Sequence, residues 1–486
     1  ADLGGGVPLA DGETADSGLT FRVDSNEYCG QAAEFVMGRG NCLPLTYPKI
    51  SQEQTSHELQ ISGDLFESRI NYIVGAYYFT EEAQEDNGPM HHQLSGPINI
   101  DIPLLGDILK SSIRAVNMLE QVYDIENDAK AFFGQFTWTP PILEDRLQLT
   151  FGARRSEDTR YTKKFQRDQT IAETPLGPID VSFAQCNSIL DGDCRNFDNI
   201  EAKQEFTNDS FSFVAEYDLT DSTNIYAKRV EAYKSGGFNT RDPQQDGNQG
   251  PATDGVDYGF GYADGFDAEY VTSYELGVKS ELMDRRLRVN ANVFYSEYED
   301  MQLNFILTGT VADTKVTNAG EAEMYGLETD ITFMATERLL MMLNYAYLHS
   351  EVTKATDVSG NDVADQFVFF SAPEHSFTLS ADYTLFVADW GRGSVNLSVN
   401  YMDERNGGSR AENVKNTQLR QYELVNARFS LADVPLAGGR LGAGLWAKNL
   451  LDEEYELTAV DNLPSADRSV IWGEPRTYGI DVFYEY

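Results

Sequence analysis

"YVTSYELGVKSELMDRRLRVNANVFYSEYEDMQL", residues 270 to 303, alternates apolar and polar side chains along two consecutive segments. The apolar face of the first segment consists of Tyr274, Leu276, Val278 and Leu282. The same alternation resumes after Asp284-Arg285. A period of two residues predicts β-strands, so we expect a hairpin of two long strands joined by a tight turn. The second face is too polar for a sandwich core, yet each strand is long enough to cross a bilayer at a tilt.

Similar alternating segments recur along most of the chain, and we predict about fifteen strands. Their approximate boundaries are 55–63, 68–81, 128–139, 144–167, 202–217, 223–235, 267–282, 286–303, 314–334, 338–353, 367–385, 393–405, 416–432, 440–456 and 474–486. The sequence therefore predicts an all-β protein.

The connections between the predicted strands alternate in length. The short turns are expected near residues 65–66, 141–142, 221–222, 284–285, 336–337, 389–390 and 437–438. The long polar connections are expected at about 82–127, 168–201, 236–266 and 457–473, with smaller ones near 304–313, 354–366 and 406–415. Transmembrane β-barrels sort their loops in this way, with short turns on one rim and long loops on the other. A soluble sandwich or propeller has no reason to do so.

Composition excludes several other classes of protein. The 486 residues include 26 Tyr and 27 Phe, and no apolar run approaches the roughly 18 residues of a spanning helix. Lys and Arg total 37 against 78 Asp and Glu, giving a formal charge of −41 that disfavours nucleic acid as a partner. The acidity fits a solvated surface adapted to salt, or acidic loops that collect cations or a cationic substrate.

Several separated stretches resemble those of one known family, the TonB-dependent receptors of Gram-negative outer membranes. These stretches are HELQIS (57–62), INYIVGAYYF (70–79), YKSGGFN (233–239), SYELGVKSEL (273–282), NAGEAEMYGLE (318–328), KNLLDEEY (448–455) and PRTYGIDVFYEY (475–486). Two adjacent glycines in YKSGGFN usually mark a bend or a close backbone approach, so we interpret Gly236-Gly237 as a structural element at the end of a strand. The terminal Tyr486 resembles the family's assembly signal for the barrel-assembly machinery, where Phe is commoner.

The resemblance implies a transmembrane antiparallel barrel of twenty-two strands that imports a scarce nutrient, such as a ferric siderophore, a vitamin or an oligosaccharide. It implies TonB with its inner-membrane motor proteins as the energy source, acting through an N-terminal plug that does not precede these strands. It also implies contact with lipopolysaccharide and outer-membrane lipid. A passive outer-membrane porin is the alternative, because a polar lumen and long loops serve diffusion equally well.

The parity of the strands predicts a partial barrel. Single-chain bacterial barrels have an even strand number, whereas about fifteen strands are expected here. Residues 1–50 would then be part of an extracellular loop, and residues 51–486 the C-terminal part of the barrel. About seven further strands and the plug are expected on the same polypeptide or on another.

One acidic and aromatic loop is the candidate ligand site. In DGVDYGFGYADGFDAEY (254–270), carboxylates able to bind a hard cation alternate with rings able to stack on a ligand. The candidate residues are Asp254, Asp257, Tyr258, Phe260, Tyr262, Asp264 and Phe266. A flexible solvated loop is the alternative interpretation.

The remaining candidate residues are cysteines and histidines. We expect disulfides Cys29–Cys42 and Cys186–Cys194, because each pair lies within one polar stretch and lacks the tight spacing of a zinc site. His91-His92 lacks other well-spaced ligands, so no metal site and no cofactor is predicted. No G-x-S-x-G or H-E-x-x-H motif occurs, and we expect no enzymatic activity. The helical spacing of apolar residues in 106–123 predicts a short helix over the barrel mouth.

Overall fold

A computed structural model describes residues 49–95, 114–174, 177–180, 197–240, 262–306, 314–356, 361–408, 417–462 and 467–486. Fifteen strands of these residues form one continuous antiparallel sheet, each paired with the next along the chain, and a short sixteenth strand pairs beside this path. The predicted all-β class and the number of strands are confirmed. No helix within the described ranges is long and apolar enough to cross a bilayer.

The strands follow the predicted segments, with several extended at their ends. The strands of the main path are β1 (Lys49–Leu65), β2 (Ile70–Ser95), β3 (Arg114–Trp138), β4 (Leu147–Thr174), β6 (Phe197–Thr220), β7 (Thr223–Lys234), β8 (Glu269–Leu282), β9 (Leu287–Ile306), β10 (Thr314–Thr336), β11 (Leu339–Ala355), β12 (His375–Ala388), β13 (Gly391–Met402), β16 (Tyr422–Leu436), β17 (Gly439–Lys448) and β20 (Thr477–Glu485). The short strands are β5 (Gly177–Asp180), β14 (Arg405–Asn406), β15 (Gln418–Leu419), β18 (Glu456–Asn462) and β19 (Asp467–Trp472).

The connections are sorted between the two rims of the sheet, as the sequence predicts. Every second connection of the main path is short, the shortest being the two residues between β6 and β7, between β10 and β11, between β12 and β13 and between β16 and β17. The others lie on the opposite rim, where β14 pairs with β15 and β18 pairs with β19 as two small additional sheets. The rim with the long connections is therefore the one with enough chain to build a binding site.

Cross-strand register gives the sheet one apolar and one polar face. Leu276 pairs with Val293, which pairs with Leu327, and these side chains continue as an apolar row across neighbouring strands. The next row, on the other face, begins with Gly277 beside Asn292. Leu276 is 58% exposed although it is apolar, and Phe132 is 71% exposed. An apolar face that stays uncovered in this way is suited to lipid, and the polar face to a lumen.

Several expectations about boundaries are wrong. The strand predicted at 367–385 begins only at His375, and the long connection predicted at 457–473 contains most of β18 and all of β19. The helix predicted in 106–123 is a strand wherever it is described, since β3 begins at Arg114 and pairs with both β2 and β4. The first long connection is likewise shorter than 82–127, because β2 extends to Ser95. The segment 440–456 is not one strand: β17 ends at Lys448, and a turn separates it from β18. For β2 and β3, hydrogen bonding to a neighbouring strand decided the backbone conformation, and local periodicity did not.

Candidate functional site

Just after β7 ends, the YKSGGFN motif is hydrogen-bonded to the chain that leads into β8, on the rim with the long connections. The Gly237 N–H donates to the Phe266 carbonyl at 3.1 Å, and the Phe266 N–H donates to the Gly237 carbonyl at 2.9 Å. A Cβ on Gly236 would lie 1.9 Å from the Phe266 carbonyl oxygen and 2.6 Å from the Phe206 ring. Only a residue without a side chain permits this approach, which confirms the structural interpretation of the glycine pair.

Three side-chain amides hold the same segment against β9 and β10. The side-chain amide of Asn239 forms the two hydrogen bonds that a neighbouring strand would form. It donates to the Val316 carbonyl at 3.0 Å and accepts from the Val316 N–H at 2.7 Å. Asn318 does the same for Asp267, and Gln302 donates to the carbonyls of Ser235 and Asp267. Sequence reasoning did not single out these residues, although Asn239 and Asn318 both lie in stretches that carry the family resemblance.

The candidate ligand loop is described only at its C-terminal end. Asp254, Asp257, Tyr258 and Phe260 lie outside the described residues. Tyr262 is fully buried, and its hydroxyl donates to Thr162 Oγ1 at 3.0 Å. Asp264 is exposed, while Phe266 forms the bridge to Gly237. The structure thus brings Tyr262 and Phe266 into the packing of the rim, and ligand binding by this loop stays a prediction.

The buried Tyr262 packs the loop against the polar face of β4. Its ring centroid lies 5.3 Å from Nζ of Lys164, a fully buried lysine that also lies 5.9 Å from the ring of Tyr123. Burial raises the pKa of Tyr262 to about 12, so the phenol is neutral at physiological pH. Stacking of a cation between two rings favours a fixed position for the loop.

Two cavities open on the polar face of the main sheet. One, of about 580 Å³, is lined by asparagines and carboxylates of β9, β10 and β11, including Asn292, Glu328 and Asp330. The other, of about 700 Å³, lies between β3, β4, β6 and β7 and contains Arg154, Asp158 and Arg160. Both volumes fall in the range of small-molecule sites, roughly 300 to 1,000 Å³.

The two small sheets of the rim with long connections meet at a buried carboxylate. Glu456 is 3% exposed and accepts two hydrogen bonds of 2.8 Å from the guanidinium of Arg468. Arg420 lies 3.9 Å from the same carboxylate, and Arg405 donates to the Glu456 carbonyl at 2.9 Å. The hydrogen bonds from Arg468 hold the pKa of Glu456 below its ordinary value. This cluster connects β14–β15 to β18–β19.

Other candidate residues are placed as follows. The four cysteines lie outside the described residues, and the backbone of His91-His92 belongs to β2. Tyr486 is fully exposed at the end of β20, where its ring meets that of Tyr484 edge to face at 5.1 Å. Across the described ranges, no three His, Cys, Asp or Glu side chains are grouped to hold a metal ion. The disulfides and the assembly signal stay predictions.

Comparisons with known proteins agree with this architecture. A family model described as "TonB dependent receptor-like, beta-barrel" matches residues 15–450. The metal-pseudopaline receptor CntO of Pseudomonas aeruginosa is 30% identical over 223 residues, which is 46% of this chain and 28% of that receptor. The pesticin receptor of Yersinia pestis is 27% identical over 274 residues, which is 56% of this chain and 35% of that receptor.

Among solved structures, the ferric yersiniabactin uptake receptor FyuA from Yersinia pestis superposes with a TM-score of 0.61 at 18% identity. The superposition covers 91% of this chain and 55% of FyuA. At that identity the likeness shows the fold alone. The matched segments are about a third of the two curated receptors and about half of the solved structure.

Proposed function

The chain belongs to the TonB-dependent receptor β-barrel family, and from that premise we propose that it imports a metal-chelating small molecule with energy supplied through TonB. Members of this family are transport receptors of the Gram-negative outer membrane. The family implies interaction with TonB and binding of a ligand. A ferric siderophore or a related metal complex is the substrate we favour over a vitamin or an oligosaccharide.

The observation that carries the proposal is the pair of cavities on the polar face. Each is large enough for a small molecule. The cavity between β3 and β7 extends to Ser235, next to the glycine pair that fastens the rim with the long connections. A ligand arriving at that rim therefore meets a built, polar surface at the top of the lumen.

The names of the relatives support a metal complex as the substrate class. One relative is a receptor for metal-pseudopaline, and the solved structure is an uptake receptor for ferric yersiniabactin. These names describe the ligands of those proteins, and we propose the same class of ligand for this chain. TonB with its inner-membrane motor proteins, a plug, the barrel-assembly machinery and lipopolysaccharide are the proposed partners. The plug and the additional strands implied by the resemblance stay predictions.

Uptake in cells with and without TonB tests the proposal. The complete natural protein is expressed in a strain that lacks its own metal-chelate receptors, and cell-associated iron, zinc, cobalt, nickel and copper are measured by mass spectrometry during metal limitation. We expect saturable accumulation of at least one metal that requires both the protein and TonB. The control is the same strain without the protein.

The same measurement separates import from passive diffusion. A porin would give accumulation that persists without TonB and rises linearly with the outside concentration. That result, or accumulation of a vitamin or an oligosaccharide with no metal, would contradict the proposal.

A further inference from the structure

The cavity between β3, β4, β6 and β7, which we call the Arg154 cavity, has the opposite charge from the rest of the protein. Its lining includes four cationic residues and two acidic ones, in a chain with twice as many acids as bases. The cations are Lys130, Arg154, Arg160 and Lys234, and the acids are Asp158 and Glu231. By register Lys130 and Glu231 border the cavity from the apolar face, so the charged side chains on its polar face are three cations, Arg154, Arg160 and Lys234, and one acid, Asp158. The cavity lined by Asn292 has one cation and two acids instead. A local reversal of charge of this kind favours an anionic occupant.

Arg154 is the cationic residue best placed to bind that occupant. Its guanidinium carbon lies 5.7 Å from the ring of Tyr77 and 5.8 Å from the ring of Phe133, so aromatic side chains hold the planar group. Its Nε donates to Ser156 Oγ at 2.9 Å. Within the described part of the chain, both terminal nitrogens lack a protein acceptor. They are the pair of donors that bind an oxyanion in bidentate fashion.

The two acids of the cavity are already engaged elsewhere. Asp158 accepts hydrogen bonds from Arg160, at 3.3 Å, and from the hydroxyl of Tyr233. Glu231 pairs with Arg229 at 2.7 Å and accepts the backbone N–H of Phe211. Neither carboxylate therefore offsets the charge of Arg154. The cavity keeps a net positive charge after its internal pairs are formed.

The position of the Arg154 cavity along β4 makes it accessible from the rim with the long connections. On the apolar face of β4, the lipid-suited side chains end at Ala153 and are followed by Arg155, which pairs with Asp209 at 3.0 Å. Arg154 thus lies at the upper limit of the apolar zone, and Arg160 lies beyond it. A ligand need not enter the membrane-spanning part of the lumen to reach these side chains.

We propose that the Arg154 cavity binds an oxyanion group, a carboxylate or a phosphate, of the imported ligand. The inference rests on the proposed function for the presence of a small-molecule ligand, and it adds the charge of the group that this ligand presents. Arg154 supplies the bidentate contact, while Arg160 is held by Asp158 and Ser235 at the outer end of the cavity.

Binding to the purified full-length receptor in detergent tests the inference without energy coupling. Citrate and inorganic phosphate are the oxyanion probes, and glucose is the uncharged probe, measured by calorimetry in 0.15 M salt where distant carboxylates are screened. The variants are Arg154→Gln, Arg154→Lys and the matched control Arg155→Gln, which removes the same charge one residue away on the opposite face. We expect at least tenfold weaker oxyanion binding for Arg154→Gln, an intermediate loss for Arg154→Lys, and less than a twofold change for Arg155→Gln.

The two probes also distinguish the source of the oxyanion. Weakening of citrate binding alone identifies a carboxylate, and weakening of phosphate binding alone identifies a phosphate. The inference is overturned if the unmodified receptor binds neither probe saturably, if Arg154→Gln binds like the unmodified receptor, or if Arg155→Gln loses as much affinity. Such a failure would leave TonB-dependent metal uptake intact, whereas loss of uptake with normal probe binding would count against the proposed function alone.

Discussion

At the scale of single residues, small and amide side chains decide how the long connections are attached to the sheet. Gly236 passes so close to the Phe266 carbonyl that no Cβ fits between them. The side chain of Asn239 then forms the hydrogen bonds to the Val316 backbone that a paired strand would form. The glycine pair could be interpreted from the sequence, because adjacent glycines after a strand have few other uses. The role of Asn239 could not, because its partner lies in a different strand far along the chain.

Replacing Gly236 with alanine should break the bridge between Gly237 and Phe266. The new methyl group would overlap backbone, and relieving that overlap should cost about 2 kcal/mol. Hydrogen exchange at the Gly237 and Phe266 amides should become faster. Gly134→Ala is the matched control, because its Cβ would meet Val74 at an ordinary 3.4 Å. Unchanged protection of both amides in Gly236→Ala would show that the close approach does not hold the rim.

At the scale of elements, the sequence predicts strands well where one face is apolar and fails where strands rise above that zone. The fifteen strands of the main path could be identified because lipid on one side and a lumen on the other impose strict alternation. The beginning of β3 could not, since its apolar residues have helical spacing, whereas Arg114–Tyr123 pairs with both β2 and β4. Part of the candidate site could be predicted, because Phe266 lies within the loop that the sequence singled out. The Arg154 cavity could not be predicted, because its lining comes from four strands and depends on their register.

The pair between Glu456 and Arg468 predicts how the two small sheets respond to acid. Because hydrogen bonds from Arg468 lower the pKa of Glu456 from its ordinary 4.5, the pair contributes stability that is fully present above pH 4.5. That stability is lost as the pH falls through the folded pKa, when the carboxylate takes up a proton. Protection of the Ala459 and Val470 amides against hydrogen exchange should therefore decrease below about pH 4.5.

Glu456→Gln should produce the same loosening at neutral pH. It leaves Arg420 and Arg468 without a shared carboxylate, at a cost of at most about 3 kcal/mol, since Arg468 is one-third exposed and partly screened. Asp452→Asn is the control, because its pair with Arg476 is about half exposed on both sides. If both variants exchange alike at pH 7, the buried carboxylate does not join the two sheets.

At the scale of the whole molecule, the strict separation of the two faces places the chain in a bilayer with a defined orientation. The apolar row through Leu276 and Val293 faces lipid, and the row through Asn290 and Asn292 faces the lumen. The whole sequence carries a formal charge of −41, and the charged pair of Arg155 and Asp209 on the apolar face lies beyond the apolar zone that ends at Ala153 on β4. Acidity of this size is compatible with the membrane because the strands keep charges out of the apolar row.

An arginine should be tolerated on one face and not on the other. Leu276→Arg puts a charge into the hydrocarbon zone and should cost about 2 to 4 kcal/mol, while Asn290→Arg puts the same side chain beside Asp330 in the lumen and should cost far less. The fraction of heat-modifiable, folded barrel in the outer membrane measures the difference. Equal assembly of the two variants would contradict the assignment of the faces.

The sorting of the connections predicts which rim faces the outside of the cell. Asp264 is exposed on the rim with the long connections, and Ser222 lies in a two-residue turn on the other rim. Asp264→Cys should therefore react with a membrane-impermeant maleimide on intact cells, whereas Ser222→Cys should react only after the outer membrane is opened. The natural protein serves as the background control, and it should stay unlabelled because Cys29–Cys42 and Cys186–Cys194 are expected to be disulfides. Labelling of Ser222→Cys on intact cells would reverse the orientation, and labelling of the natural protein would contradict the disulfides.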